Sequence, residues 1–84
     1  MALRILYFAS LREALDSSGE QTEIPSEVST VGALRDHIVR RGDPWTVLAT
    51  TKNLRAAVNQ VMVGMDAAIR DGDEIAFFPP VTGG

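Results

Sequence analysis

The sequence closes on Pro79-Pro80-Val81-Thr82-Gly83-Gly84, and this stretch offers the plainest chemistry in the chain, a bare α-carboxylate. Glycine makes no side-chain contact and loses the most backbone entropy on ordering, so a diglycine ending does nothing for a core. It does make a thin end that fits a narrow slot in another protein, because no Cβ holds other backbone away. Pro79 and Pro80 fix φ and remove two N–H donors, which ends the preceding strand and favours an extended exit. Six extended residues reach ~20 Å. The expected division is a folded domain over 1–78 and a flexible diglycine tail over 79–84.

The other candidates for chemistry are weaker. His37 is the only histidine, and no second set of ligands accompanies it to make a metal site or a catalytic pair. Asp71, Asp73 and Glu74 cluster, but a calcium loop needs more oxygen ligands at a defined alternation, so they read as a polar turn before a strand. No base stands near Asp16-Ser17-Ser18 to activate a serine, and no glycine-rich phosphate loop is present. With no cysteine there is no disulfide, no thiol nucleophile and no thiolate metal site. That lack fits a reducing cytoplasm, which is the expected location. No bound metal and no permanently bound cofactor is expected.

Composition narrows the field further. The 84 residues make one small domain, and 45% hydrophobic residues argue against disorder. A formal net charge of −3 disfavours a nucleic-acid partner. No run is long enough to span a membrane.

The elements that must position the tail follow from hydrophobic periodicity. Leu3 to Ala9 reads as a strand, with Leu3, Ile5 and Tyr7 on one face and Arg4, Leu6 and Phe8 on the other. Ser10 to Ser17 predicts a short helical turn broken by Ser18-Gly19, and Gln21 to Ile24 an edge strand ended by Pro25. Thr30 is placed to cap a helix from Val31 to about Arg41, with Val31, Leu34 and Ile38 as its buried stripe. Arg40 and Arg41 fall in its last turn, Gly42 follows as the C′ residue, and Asp43-Pro44 predicts the cap and first position of a second short helix. Arg55 to Val58 and Val61 to Val63 are two β segments around Asn59-Gln60, and Asp66 to Arg70 reads as irregular. Asp71-Gly72-Asp73 is a turn, and Glu74 to Phe78 is the last strand. The order is that of an α+β domain, one sheet packed on one main helix.

If the first and last strands are neighbours, their outer faces set Leu6, Phe8 and Phe78 side by side, opposite the helix. Met62, out of phase with Val61 and Val63, joins them. An apolar patch beside the exit of the tail suggests a docking surface.

AAVNQ at Ala56 to Gln60, DGDEIAFFPP at Asp71 to Pro80 and the closing VTGG resemble the small subunits of molybdopterin synthase. SLRE at Ser10 to Glu13 and TVGALRDHI at Thr30 to Ile38 fit the same family, so the resemblance covers essentially the whole chain. It implies a ubiquitin-like β-grasp fold with a mixed sheet. It also implies a sulfur carrier. Gly84 would be adenylated by an activating enzyme of the E1 type using ATP and then converted to a thiocarboxylate. The sulfur would go to precursor Z, the cyclic pyranopterin monophosphate, to build the dithiolene of molybdopterin. The catalytic groups would belong to the large subunit, two of each subunit forming the assembly. Gly83, Thr82, Val81 and Pro80 would thread the partner's slot. Phe8, Met62 and Phe78 would dock both partners in turn, with Arg12 as a further contact on the tail side. Three alternatives remain at this point: a sulfur carrier for thiamine synthesis or tRNA thiolation, a ubiquitin-like modifier of lysines, and an interaction module with an inert tail.

Overall fold

Alternating apolar residues in the first and last strands pair them at the centre of the sheet. The computed structural model describes residues 1–80, so Val81, Thr82, Gly83 and Gly84, and the tail expected there, lie outside the described residues. Strand β1 (Ala2–Tyr7) runs parallel to β5 (Glu74–Phe78), with Ile5 opposite Ile75 and Tyr7 opposite Phe77. On the other side of β1 lies β2 (Gly19–Glu23), antiparallel, with Leu3 opposite Thr22. Strand β3 (Arg55–Val58) pairs antiparallel with β5 and carries β4 (Val61–Val63) on its far side. The sheet is therefore mixed, in the order β2-β1-β5-β3-β4. Asn59 and Gln60 join β3 to β4 with φ of 50° and 70°, the left-handed pair of a tight hairpin turn.

Among the described residues three helices cover one face. Helix α1 (Ser10–Leu15) brings Leu11 and Leu15 into the core, and α3 (Val47–Thr50) brings Leu48. The main helix, α2 (Val31–Val39), buries Val31, Leu34 and Ile38, the stripe expected from 3.6-residue periodicity. These residues join Leu3, Ile5, Tyr7, Ala56, Ile75 and Phe77 in one cluster. Each fully buried aliphatic or aromatic side chain contributes about 1.5–3 kcal/mol relative to exposure. Thr30 caps α2 as expected, its Oγ1 accepting from the Ala33 N–H at 3.1 Å. Gly32, a residue of low helix propensity, has a packing reason. The backbone of Met65 crosses here, and a Cβ at residue 32 would lie 3.2 Å from the Met65 carbonyl oxygen.

The boundaries differ from expectation at four places, the first being β1, which ends at Tyr7 and not at Ala9. Helix α1 ends at Leu15, because Asp16 turns left-handed at φ 51° and closes the last turn onto Glu13, so β2 begins earlier, at Gly19. Helix α2 ends at Val39, the Arg41 N–H closes a tighter turn onto the Ile38 carbonyl, and the Arg41 side chain reaches Glu20 on β2. The second short helix does not start at Pro44. The Asp43 carboxylate accepts from the Thr46 hydroxyl and caps no backbone N–H. Trp45 and Leu48 are held by three-residue turns, so regular helix begins only at Val47.

Candidate functional site

The helices leave the opposite face of the sheet open, and the outward residues of the strands decide what it offers. Register places Leu6, Ala76, Ala57 and Met62 in one row, one from each of β1, β5, β3 and β4. Two alanines in the middle of that row make a trough. Phe8 and Phe78 wall it at the end where the chain leaves β5, their rings 6.5 Å apart and edge to face at 78°. Such a pair adds about 0.5–1.5 kcal/mol beyond the area it covers. The resulting groove, ≈ 590 Å³, is lined by Leu6, Phe8, Ala57, Ala76, Phe78 and Pro79 together with Gln60 and Glu74.

Exposure separates this apolar set from the core. Phe8 is 45% and Met62 50% exposed, whereas Phe77, the neighbour of Phe78, is fully buried. Phe78 itself is half-buried against Phe8. Ala57 is the exception on the outer face: it is buried as the floor of the trough, yet it is no part of the cluster under the helices. Val61 is the most exposed of the large apolar residues, at 63%, because its inner-face position runs past the cover of the helices.

The structure thus brings together Leu6, Phe8 and Phe78 as expected from strand phase. It puts Met62 on the same face but beyond Ala57, at the rim. Arg12 is exposed on α1, and among the described residues its side chain enters no hydrogen bond or ion pair. Pro80 is half-buried. Ala57 and Ala76 were not singled out from the sequence. The signal was there in the alternation of Arg55 to Val58 and Glu74 to Phe78, but small residues mark a concavity only when strands on either side are known.

Backbone geometry also marks the groove. Ala9, on its wall, has φ 54° and ψ −131°, a conformation that glycine adopts freely and alanine rarely. It turns the chain from Phe8 into α1. Such a residue stores on the order of 1–3 kcal/mol, held by the packing around it.

A second polar cluster lies on the helix side. The Tyr7 hydroxyl donates to Glu20 Oε2 at 3.1 Å, and the Arg41 guanidinium grips both Glu20 oxygens at 2.8 Å. The same guanidinium stacks 4.7 Å from the Trp45 ring centroid, and Trp45 packs on Tyr7 with centroids 5.7 Å apart. The Arg41 hydrogen bonds hold the Glu20 carboxyl below its usual range, against the opposing effect of burial. Burial, then the Glu20 charge beside it, pushes the Tyr7 phenol above its usual value. The cluster ties β1, β2 and the end of α2 together. His37 is half-buried on α2, and among the described residues no group of three potential metal ligands gathers. No helix of the described residues is long and apolar enough to cross a membrane.

Comparison with known proteins agrees with this geometry. The ThiS family model matches residues 5–84. The molybdopterin synthase sulfur carrier subunit of Escherichia coli (strain K12) is 44% identical over 82 residues, covering 98% of this chain and 99% of that protein. The subunit of the same name from Haemophilus influenzae is 40% identical over the same share of each chain. Among solved structures, SAMP1 from Haloferax volcanii superposes with a TM-score of 0.77 at 25% identity, covering all of both chains. The ubiquitin-like β-grasp fold is thereby established, and with it the chain belongs to the ThiS family, among relatives named as sulfur carriers.

Proposed function

We propose that the chain is the sulfur-carrying small subunit of a molybdopterin synthase, with Gly84 as the residue that bears the sulfur. The observation that carries this reading is the full-length 44% identity to a sulfur carrier subunit of that name, in a chain whose sequence closes on Gly83-Gly84 and whose last strand ends beside an open apolar groove. A carboxylate is a poor acyl donor, since its leaving group would be an oxide. ATP in an activating enzyme converts the Gly84 carboxylate to an acyl adenylate and releases pyrophosphate. A sulfur nucleophile then displaces AMP. The product is a thiocarboxylate, ionised at neutral pH, with a soft nucleophilic sulfur. With no cysteine in the sequence, the terminus is the place where this chain can hold sulfur covalently.

The roles follow from that chemistry. Gly83 gives slimness for threading, and Thr82, Val81 and Pro80 are the grips for the slot. The groove of Phe8 and Phe78, with Met62 at its rim, docks the large subunit. The activating enzyme takes the same face, so the two bind one at a time. Arg12 supplies a polar contact on the tail side. The catalytic groups and the pterin precursor belong to the large subunit, and ATP to the activating enzyme.

Intact mass tests this directly. After incubation with ATP, a sulfide source and the activating enzyme of the same organism, the protein gains the mass of one sulfur in place of one oxygen, mapped to residues 81–84. Deleting Gly84 abolishes the gain and leaves the thermal unfolding transition in place. An unshifted mass with a competent enzyme would remove the carrier reading.

A further inference from the structure

The chain contains no cysteine and three methionines, so the sulfur built into its side chains is all thioether. Burial sorts the three. Met1 and Met65 are half-buried and pack against the core cluster. Met62 is 50% exposed and is no part of that cluster. Its position explains the difference. Strand β4 is an edge of the sheet, with β3 on one side and no strand of the described residues on the other. Strand phase turns Met62 to the outer face, directly opposite Ala57, the floor of the trough. The methionine that an oxidant in water reaches most readily therefore belongs to the face proposed to dock the large subunit.

We infer that Met62 is an oxidation site whose conversion to the sulfoxide by a peroxide weakens docking at the groove, an inference that rests on the docking role proposed for that face. The peroxide delivers one oxygen atom to Met62 Sδ. The S–O bond forms, the O–O bond breaks, the thioether loses two electrons, and hydrogen peroxide leaves as water. A flexible apolar side chain becomes a polar, chiral one carrying a hydrogen-bond acceptor. In the free carrier that oxygen is solvated, so the fold is unaffected. A partner seated on the trough covers Met62 along with Ala57, and the sulfoxide must then give up water beneath an apolar surface. An acceptor buried without a donor weakens such a complex about tenfold. The same cover shields the sulfur, so oxidation selects the free carrier. Methionine sulfoxide reductases reverse the reaction, which makes the block on docking reversible.

The test treats the intact protein, its terminus in the carboxylate form, with hydrogen peroxide and then removes the excess. Peptide mapping is expected to place one added oxygen at Met62 ahead of Met1 and Met65, with the thermal unfolding transition unmoved. Titration calorimetry against the large synthase subunit then reads an affinity about tenfold below that of untreated protein, and sulfoxide reductases restore it. Protein held in the complex during treatment takes up less oxygen at Met62. Met62→Leu has no sulfur at this position, so peroxide leaves its affinity where it stood before treatment. Oxidation of Met1 or Met65 as fast as Met62, an unchanged affinity of the Met62 sulfoxide, or an equal loss in treated Met62→Leu would overturn the inference and leave the docking face standing. Failure of the untreated protein to bind the large subunit would overturn the docking role and this inference together.

Discussion

The two faces of the sheet are built from the same residue types and behave as opposites. On the inner face Leu3, Ile5, Tyr7, Ile75 and Phe77 lie under helices and are fully or nearly fully buried. On the outer face Leu6, Phe8, Ala76 and Phe78 occupy the alternate positions of the same two strands, with no element of the described residues across them. Phe77 and Phe78 are adjacent in sequence, yet one serves the fold and the other is available to a partner. Hydrophobicity alone therefore does not tell a core from an interface. What tells them apart is whether the chain itself supplies a cover. An apolar face left open loses the stabilisation of burial until a partner supplies it, which is the energetic basis for docking.

That contrast breaks most visibly at Phe77. Phe77→Ala should destabilise the domain by about 3–5 kcal/mol, the usual cost of emptying a buried aromatic site. Chemical denaturation would show it as a large fall in midpoint. A drop below 1 kcal/mol would mean that the inner face is less well packed than its burial indicates.

The matching change on the other face should act on binding. Phe78→Ala is expected to weaken the proposed complex with a large synthase subunit by about 2 kcal/mol or more, as for an interface anchor, with stability nearly unchanged. Titration calorimetry against the large subunit reads this. Equal affinities for mutant and parent would dismiss the groove as the docking site. Ala57→Leu sharpens the point by filling the trough from below, and it should impair binding in the same assay.

The polar cluster gives a smaller effect. Arg41→Ala removes a two-pronged ion pair and the stacking on Trp45, and should cost about 1–2 kcal/mol for a partly buried pair of this geometry. Its pH dependence has a definite sign. The folded-state pKa of Glu20 is lowered, so its contribution is present above the unfolded carboxylate range and is lost as pH falls through the folded value. Thermal melts of the parent should therefore decline on acidification below about pH 4, and Glu20→Gln should flatten that decline. An unchanged acid limb in Glu20→Gln would assign the decline to other carboxylates.

Ala9→Gly should have the smallest effect and the opposite direction. Relief of the left-handed backbone outweighs the added entropy of the unfolded chain, for a gain of about 1 kcal/mol. A loss of stability would show that the turn after Phe8 is unstrained.

Much of this was legible along the chain because it depends on local order. The alternation of Leu3 to Phe8 and of Glu74 to Phe78, the stripe of α2, the Thr30 cap and the turns at Asn59-Gln60 and Asp71-Gly72-Asp73 are set by neighbours two to four residues apart. The diglycine ending and the chemistry proposed for it also follow from residue type. Only the tertiary structure decided the rest. The parallel pairing of β1 with β5 joins segments about seventy residues apart, and it turns two alternating strands into one wall of Phe8 and Phe78. The floor of Ala57 and Ala76 becomes a trough only once four strands stand in register. Helix α2 stops short of its expected end, its last turn tightening onto Ile38 and Val39 while the Arg41 side chain pairs with Glu20, twenty-one residues back. The second helix starts late because Asp43 finds Thr46 before it finds a backbone donor. Local preferences are worth tenths of a kcal/mol to about 1 kcal/mol each, and contacts between distant segments outweigh them wherever the two disagree.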